Sequence, residues 1–355
     1  MNSSVTSHLT PAQQSARAKA LAAENGFSLS GIAWVPADGQ TPHAEHFSKW
    51  IERGNQGPLD YLVSNKNTRT QLHSRFPWVR SVLALGAFYD GTARGEVGRD
   101  LSAHVARYAR GRDYHRIFEK RLKKLGAAMI AEGLCTRAHR YVDTGPVLER
   151  AWAEASGVGW IGKNTCVIHP RLGSYFLLAE ILLDTALEPD APALNHCGTC
   201  TRCIDACPTQ AITAPNVLDA RRCLVTWNLE LKGETPKELW SQQGEWAAGC
   251  DICQSVCPYN APRRIAPGDA ELSAPLPWQS MTLAQCMVMS EAEFDRAFTA
   301  SALRRTGVKG LRLGAITASG NVKAAECRDA LYECLRDADV DIRARAEWAL
   351  QQIDA

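Results

Sequence analysis

Along the first half of the chain, apolar runs of strand spacing take turns with amphipathic stretches of helical period. Thr10-Pro11 opens the stretch AQQSARAKALAAENG, with proline at a first helical position and Gly26 at the close, which predicts a capped helix. Residues 27–35 then read as a strand, 44–53 as a helix, and 81–89 as a second strand, mostly apolar and closed by Asp90-Gly91. The pattern continues with a long helix over 112–133, a short strand at 137–142, a helix at 146–156 and a buried strand at 174–183. Glu180 interrupts the last apolar run. This alternation argues for an α/β layer over residues 1–187.

After Pro189-Asp190-Ala191-Pro192, which reads as a linker, the periodicity gives way to closely spaced cysteines as far as about residue 265. Beyond the irregular stretch PRRIAPGDAELSAPLP, helical segments are predicted at 283–298, 322–336 and 340–353. The last two read like one HEAT-type helix pair. A single repeat cannot bury its own face, so this tail must pack on the preceding helices or on the α/β layer.

The cysteine spacing adds chemistry to this outline. The first run is Cys197-x2-Cys200-x2-Cys203-x3-Cys207-Pro208, the second is Cys250-x2-Cys253-x3-Cys257-Pro258, and Cys223 lies between them. A two-cluster ferredoxin run holds one [4Fe-4S] cube with its first three cysteines and sends the proline-linked fourth to the other cube. The two runs supply seven thiolates where two cubes need eight, and Cys223 is the obvious eighth. The ligand sets are then Cys197, Cys200, Cys203 and Cys257 for one cube, and Cys207, Cys223, Cys250 and Cys253 for the other. Zinc takes thiolates too, but it closes with two short pairs and needs no crossed runs. A disulfide framework is disfavoured because 355 residues can bury a core without staples. The expected fold class is therefore α+β multidomain, with an α/β domain at 1–187, a two-cluster ferredoxin-like domain at 188–265 and a helical HEAT-like region at 266–355.

Composition narrows the setting further. A hydrophobic content of 45% is ordinary for a soluble protein, and the longest apolar stretch, at 175–183, is far too short for a bilayer. The start, MNSSVTSHLTPAQQ, has neither a basic end nor an apolar core, so a cytoplasmic protein is expected. The net charge of +2 says little. Its distribution says more, because residues 107–124 hold eight Lys or Arg against Asp113 and Glu119, with Tyr108, Tyr114 and Phe118 among them. Such a segment grips phosphates and stacks on unpaired bases, or it is simply a solvated helix face.

The long chain ahead of the cysteines suggests a catalytic partner for the electron-transfer block. No GxGxxG follows a strand, and Gly157-x4-Gly162-Lys163 has Asn164 where a P-loop needs Ser or Thr, so no nucleotide is indicated. The densest constellation is YVDTGPVLERAWAEASGVGWIGKNT, residues 141–165. Together with RYARGRDYH, the doubled cysteine runs and GLRLGAITASGN, it resembles the epoxyqueuosine reductase family over most of the chain.

That resemblance implies cobalamin alongside two [4Fe-4S] clusters, and removal of the epoxide oxygen from epoxyqueuosine at the tRNA wobble position, the last step to queuosine. It implies Asp143 as proton donor, its pKa expected to rise through burial beside the corrin. Taken alone, Asp143 is an aspartate just before a helix. Arg150, Lys163, Asn164 and Thr165, with Thr226 and Trp227 of LVTWNLELKG, are implied as cobalamin contacts. The DxHxxG motif is absent, and Asp113-Tyr114-His115 lacks its glycine, so no protein histidine is expected below cobalt. The implied partners are a tRNA with a queuosine-type anticodon and an external flavodoxin or ferredoxin system, serving a monomer without membrane attachment. Residues 107–124, Arg304, Arg305, Lys309, Arg312 and the helical tail would line the RNA. Cys135, Cys286, Cys327 and Cys334 read as small buried residues, while Cys166 follows the GKNT turn and is open. Two other classes stay in view. A ferredoxin-like subunit would carry no corrinoid, and a small-molecule reductive dehalogenase would show no affinity for tRNA.

Overall fold

The computed structural model describes residues 9–89, 95–262 and 266–355; the expected Asp90-Gly91 turn lies outside them. The first helix, α1 (Pro11–Glu24), starts at a capping box in which the Thr10 hydroxyl accepts the Gln13 N–H and the Gln13 side chain returns to the Thr10 N–H. Strand β1 (Leu29–Trp34) follows, then a short helix, Ala44–Glu52, and strand β2 (Ser81–Phe88). Helix α2 (Tyr114–Ala131) begins where the Asp113 carboxylate accepts the His115 N–H. Strand β3 (Ala138–Tyr141), helix α3 (Glu149–Ala155) and strand β4 (Phe176–Leu183) complete the layer.

The sheet order is β1-β2-β4-β3, and every pairing is antiparallel. The alternation of elements was legible, but an apolar period carries no strand direction, and the α/β layer is realised as an antiparallel α+β sheet. Side chains alternate across it. Leu83 and Leu85 of β2 pack with Ile117, Phe118 and Leu122 of α2 on one face, while Val82 and Ala84 meet Trp152 and Ala153 of α3 on the other. Both faces are covered, so β2 is buried at all eight positions. The same alternation in β4 sends Ala179 and Ile181 toward α2, and Glu180 toward α3.

In the C-terminal third the predicted helix at 283–298 is two helices, α4 (Leu283–Val288) and α5 (Glu291–Ala297). Met289 is extended, and Ser290 opens a new capping box with Glu293. Helix α6 (Gly307–Asn321) falls in a stretch given no helix above, and α7 (Arg328–Cys334) is shorter than the 322–336 segment. Helix α8 (Val340–Asp354) follows. Leu311, Ile316, Leu331 and Ala346 share one core with Leu101, Val105 and Ala109, so the tail closes over the segment leading into α2. No helix among the described residues is long and apolar enough to cross a membrane.

Candidate active site and cluster cavity

The VDTGP loop leaves the end of β3 and leads into α3. Asp143 sits in it with a left-handed backbone, φ 53°, and its N–H donates to Glu149 Oε1 at 2.5 Å. Its carboxylate is 39% exposed. It accepts from His115 Nε2 at 3.0 Å and lies 3.5 Å from the Arg305 guanidinium. His115 Nδ1 faces Asp113 Oδ1 at 2.8 Å, so the imidazole is held between two carboxylates. Burial works against its charge, but Asp113 and then Asp143 outweigh that and raise its pKa to about 9. Asp143 moves the other way. Burial pushes it up, yet His115 and Arg305 prevail and hold it below the usual carboxylate range. In the protein alone the carboxyl is thus held low by its two cationic neighbours, and His115 is the partner that favours the proton near neutral pH.

Arg305 also reaches Glu230 at 3.2 Å, which ties Asp143 to the 226–230 turn. On the other side, Arg150 donates to the Thr165 carbonyl at 3.2 Å and lies 3.4 Å from its hydroxyl. Cys166, the next residue, sits beside Cys253. Through Glu149 and its chain neighbour Arg150, a path of polar contacts thus leads from Asp143 to the second cysteine run. Lys163 and Asn164 point elsewhere. The Lys163 ammonium donates to the Gly198 and Cys200 carbonyls at 2.7 and 2.9 Å, and Asn164 Nδ2 donates to the Cys253 carbonyl at 3.2 Å. Both brace the cysteine loops by giving their backbone carbonyls a donor. The Trp227 indole is likewise engaged, by the Arg221 carbonyl at 2.7 Å, and Thr226 is buried with its N–H on the Cys223 carbonyl.

The cysteines fall into two neighbourhoods. A cavity of about 280 Å³ is lined by Cys197, Cys200, Cys203 and Cys257, with Lys163 and Asn164 on its wall. Burial raises Cys203 to about 11, with Cys197 and Cys257 adding to it. Burial likewise raises Cys250 to about 12, with Cys223 and Cys207 nearby, and Cys253 neighbours Cys250 and Cys223. Among the described residues the thirteen cysteines form no disulfide. The Trp160 indole approaches Cys197 Sγ at 3.4 Å, and the Ala211 N–H donates to Cys207 Sγ at 3.2 Å. Cys135, Cys286, Cys327 and Cys334 are buried in apolar cores.

The basic segment is less available than its composition suggests. Arg110 is 4% exposed, with its guanidinium on the Val105 carbonyl at 2.9 and 2.8 Å, and Tyr114 and Phe118 are core residues. The amphipathic period of α2 turns them inward, which leaves Arg112, Arg116, Lys120, Lys123 and Lys124 exposed. Lys309 is paired with Asp339 and Asp341, Arg304 with Asp295 and Arg312 with Asp337. Arg305, expected at the RNA from its sequence neighbours, lies 3.5 Å from the Asp143 carboxylate. His115 and Glu149 were not singled out by sequence reasoning. The only trace was Asp-x-His at the start of α2.

Two family models match the chain: a 4Fe-4S double cluster binding domain over residues 196–260, and epoxyqueuosine reductase QueG, DUF1730, over 69–144. An epoxyqueuosine reductase of Gloeobacter violaceus is 43% identical over 316 residues, covering 88% of this chain and 96% of that protein. A crystal structure of epoxyqueuosine reductase with a tRNA-Tyr epoxyqueuosine-modified stem loop superposes with a TM-score of 0.81 at 28% identity, covering 96% of this chain and 90% of the other. Another, from Bacillus subtilis, has its catalytic aspartate loop swung out of the active site, and matches with a TM-score of 0.78 at 27% identity over 95% and 90% of the two chains. Motif, cysteine framework and whole-chain fold agree, and the chain belongs to the epoxyqueuosine reductase family.

Proposed function

We propose that this protein reduces epoxyqueuosine to queuosine in the anticodon of tRNA, with Asp143 delivering a proton to the departing oxygen. One observation carries the reading: a half-exposed carboxylate backed by a charged imidazole stands at one end of a path of polar contacts whose other end is Cys253. Taking an oxygen atom from an epoxide to leave an alkene and water consumes two electrons and two protons. The protein has a place for each supply.

Protons come through His115. Its imidazolium holds the proton near neutral pH and passes it to Asp143 as charge develops on the leaving oxygen, while Asp113 fixes the ring and stabilises its charge. Arg305 holds the Asp143 carboxylate toward the 226–230 turn. Electrons enter through the cysteine domain. The cavity walled by Cys197, Cys200, Cys203 and Cys257 fits one [4Fe-4S] cube, and the neighbouring thiols of Cys207, Cys223, Cys250 and Cys253 suit the second. Cobalamin follows from the family resemblance. Bound, it would supply the strongly reducing centre that the clusters feed. The exposed Arg150 and the Thr165 hydroxyl beside it suit the amide rim of a corrin. Thr226 and Trp227 flank the same region, while Lys163 and Asn164 serve it by bracing the cysteine loops.

Residues 1–187, 188–265 and 266–355 thus divide the labour into proton delivery, electron supply and a helical buttress. An external flavodoxin or ferredoxin system would reduce the clusters. The test is single turnover of the pre-reduced, cofactor-loaded protein on an epoxyqueuosine-bearing stem loop, with Asp143→Asn alongside. Wild type converts the substrate, whereas the variant keeps both chromophores and slows by about 10²–10⁴-fold. An equally fast variant would remove Asp143 as the acid.

A further inference from the structure

Glu180 has no role in the account so far, and its position is costly. It is fully buried in the centre of β4, opposite Ala84 on one side and Tyr141 on the other. No N–H or O–H donor reaches either carboxylate oxygen among the described residues. A lone buried carboxylate costs several kcal/mol or more, which is why such groups are paired or hold a proton. Strand alternation aims Glu180 at α3, and its neighbour there is the Glu149 carboxyl at the start of that helix. Two carboxylates facing each other are both acceptors, so the contact is favourable only with a proton between them. Glu149 is the residue whose Oε1 accepts the Asp143 N–H at 2.5 Å.

We propose that Glu149 and Glu180 are positioning residues for the reaction: a carboxyl pair sharing one proton, whose Glu149 oxygen pins the Asp143 loop in its working position. The inference rests on Asp143 as the proton donor. The loop needs such a pin. Asp143 is held at φ 53°, a conformation disfavoured for most residues with a Cβ, and a Bacillus subtilis relative has its catalytic aspartate loop swung out of the active site.

Two cations lie within electrostatic reach of Glu149, but both direct hydrogen bonds elsewhere. Arg150, next to Glu149, is turned to Thr165, and Arg69 donates to the Val147 carbonyl at 3.1 Å. Tyr114 approaches from α2, His115 and Arg305 face Asp143, and Asp143 itself adds negative charge. Burial and then Asp143 push Glu149 up to about 7, and burial with Glu149 holds Glu180 well above the carboxylate range. The sign follows. Both groups bind more protons in the pinned state than in water, so pinning is complete at low pH and weakens as pH rises through the titration of the pair. Once the shared proton is lost, half-buried Glu149 is free to turn to solvent, and it releases the Asp143 amide.

Hydrogen exchange of the 142–148 segment in the cofactor-loaded protein, corrected for intrinsic rates, tests this. Wild-type protection should be full near pH 6 and fall about tenfold at high pH, once the pair has given up its last proton, the size of one charge-assisted hydrogen bond. Glu180→Gln, whose amide donates to Glu149 at any pH, should keep the low-pH protection throughout. Glu149→Ala should show low protection at every pH, and Glu149→Gln, which retains a carbonyl acceptor, should restore it. Wild-type protection in Glu149→Ala, or an unchanged pH fall in Glu180→Gln, would overturn the proposal. Asp143→Asn separates the two readings, since it keeps the backbone N–H. If its loop protection is normal while turnover survives, the acid assignment fails and the pin stands.

Discussion

At the scale of single residues, the site is organised by where one proton sits. His115 is the residue that sequence reasoning passed over, because its partners are set by packing: the start of α2 meets the loop after β3, and Asp143 arrives 28 positions further along. Asp143 itself was legible through the VDTGP motif, but the direction of its pKa was not, since that depends on Arg305 and His115 arriving from distant segments. The raised His115 pKa carries a stability signature. A histidine whose folded pKa lies near 9 contributes stability that is fully present below its unfolded value of about 6.5 and is lost as pH rises through about 9. Denaturant unfolding from pH 6 to 10 should show wild-type stability declining across that window, with a flatter profile in His115→Gln. Parallel profiles would mean that the imidazole is not held charged.

At the scale of elements, the least legible helix is the most instructive. Helix α6, GVKGLRLGAITASGN, contains four glycines, which propensity counts against. The structure explains two of them by close approach. A Cβ on Gly310 would stand 2.3 Å from the Lys232 carbonyl oxygen, and one on Gly314 would stand 1.9 Å from that of Ala247. These two residues lie one turn apart and face the segment between Cys223 and Cys250, so α6 clamps the chain that carries the second thiol set. Gly314→Ala, normally stabilising in a helix by about 1 kcal/mol, should instead cost about 1–3 kcal/mol in denaturant unfolding. A gain in stability would show that the backbones are not in contact. The break at Ser290 was readable in principle. Ser290-x-x-Glu293 is a capping-box signature, overlooked because the apolar period runs through it.

At the scale of the whole molecule, the cysteine framework was the most legible feature, because cluster ligation depends on short spacings that survive any arrangement of the rest. The crossing of the runs makes Cys223 decisive. Cys223→Ala should lower iron toward the content of one intact cube while leaving the Cys197 cavity filled, as read by iron analysis and EPR; full iron content would point to another eighth ligand. How much of the basic segment is exposed was only partly legible, since composition does not say which basic side chains face inward. Charge reversal at Lys120 and Lys123, both exposed on α2, should weaken stem-loop binding and reduce its salt slope by about one to two. Unchanged binding would place the RNA on another face. Arg110 is not a useful probe, because reversing a buried guanidinium would disturb the fold first. The central claim is that protons from the Asp143 site and electrons from the paired clusters meet at one substrate. Nucleoside mass spectrometry of an epoxyqueuosine-bearing stem loop, after anaerobic incubation with the reduced protein loaded with both clusters and corrinoid, tests it most directly. The account predicts loss of one oxygen atom only when all components are present; an unchanged nucleoside with fully loaded protein, or equal conversion without corrinoid, would contradict it.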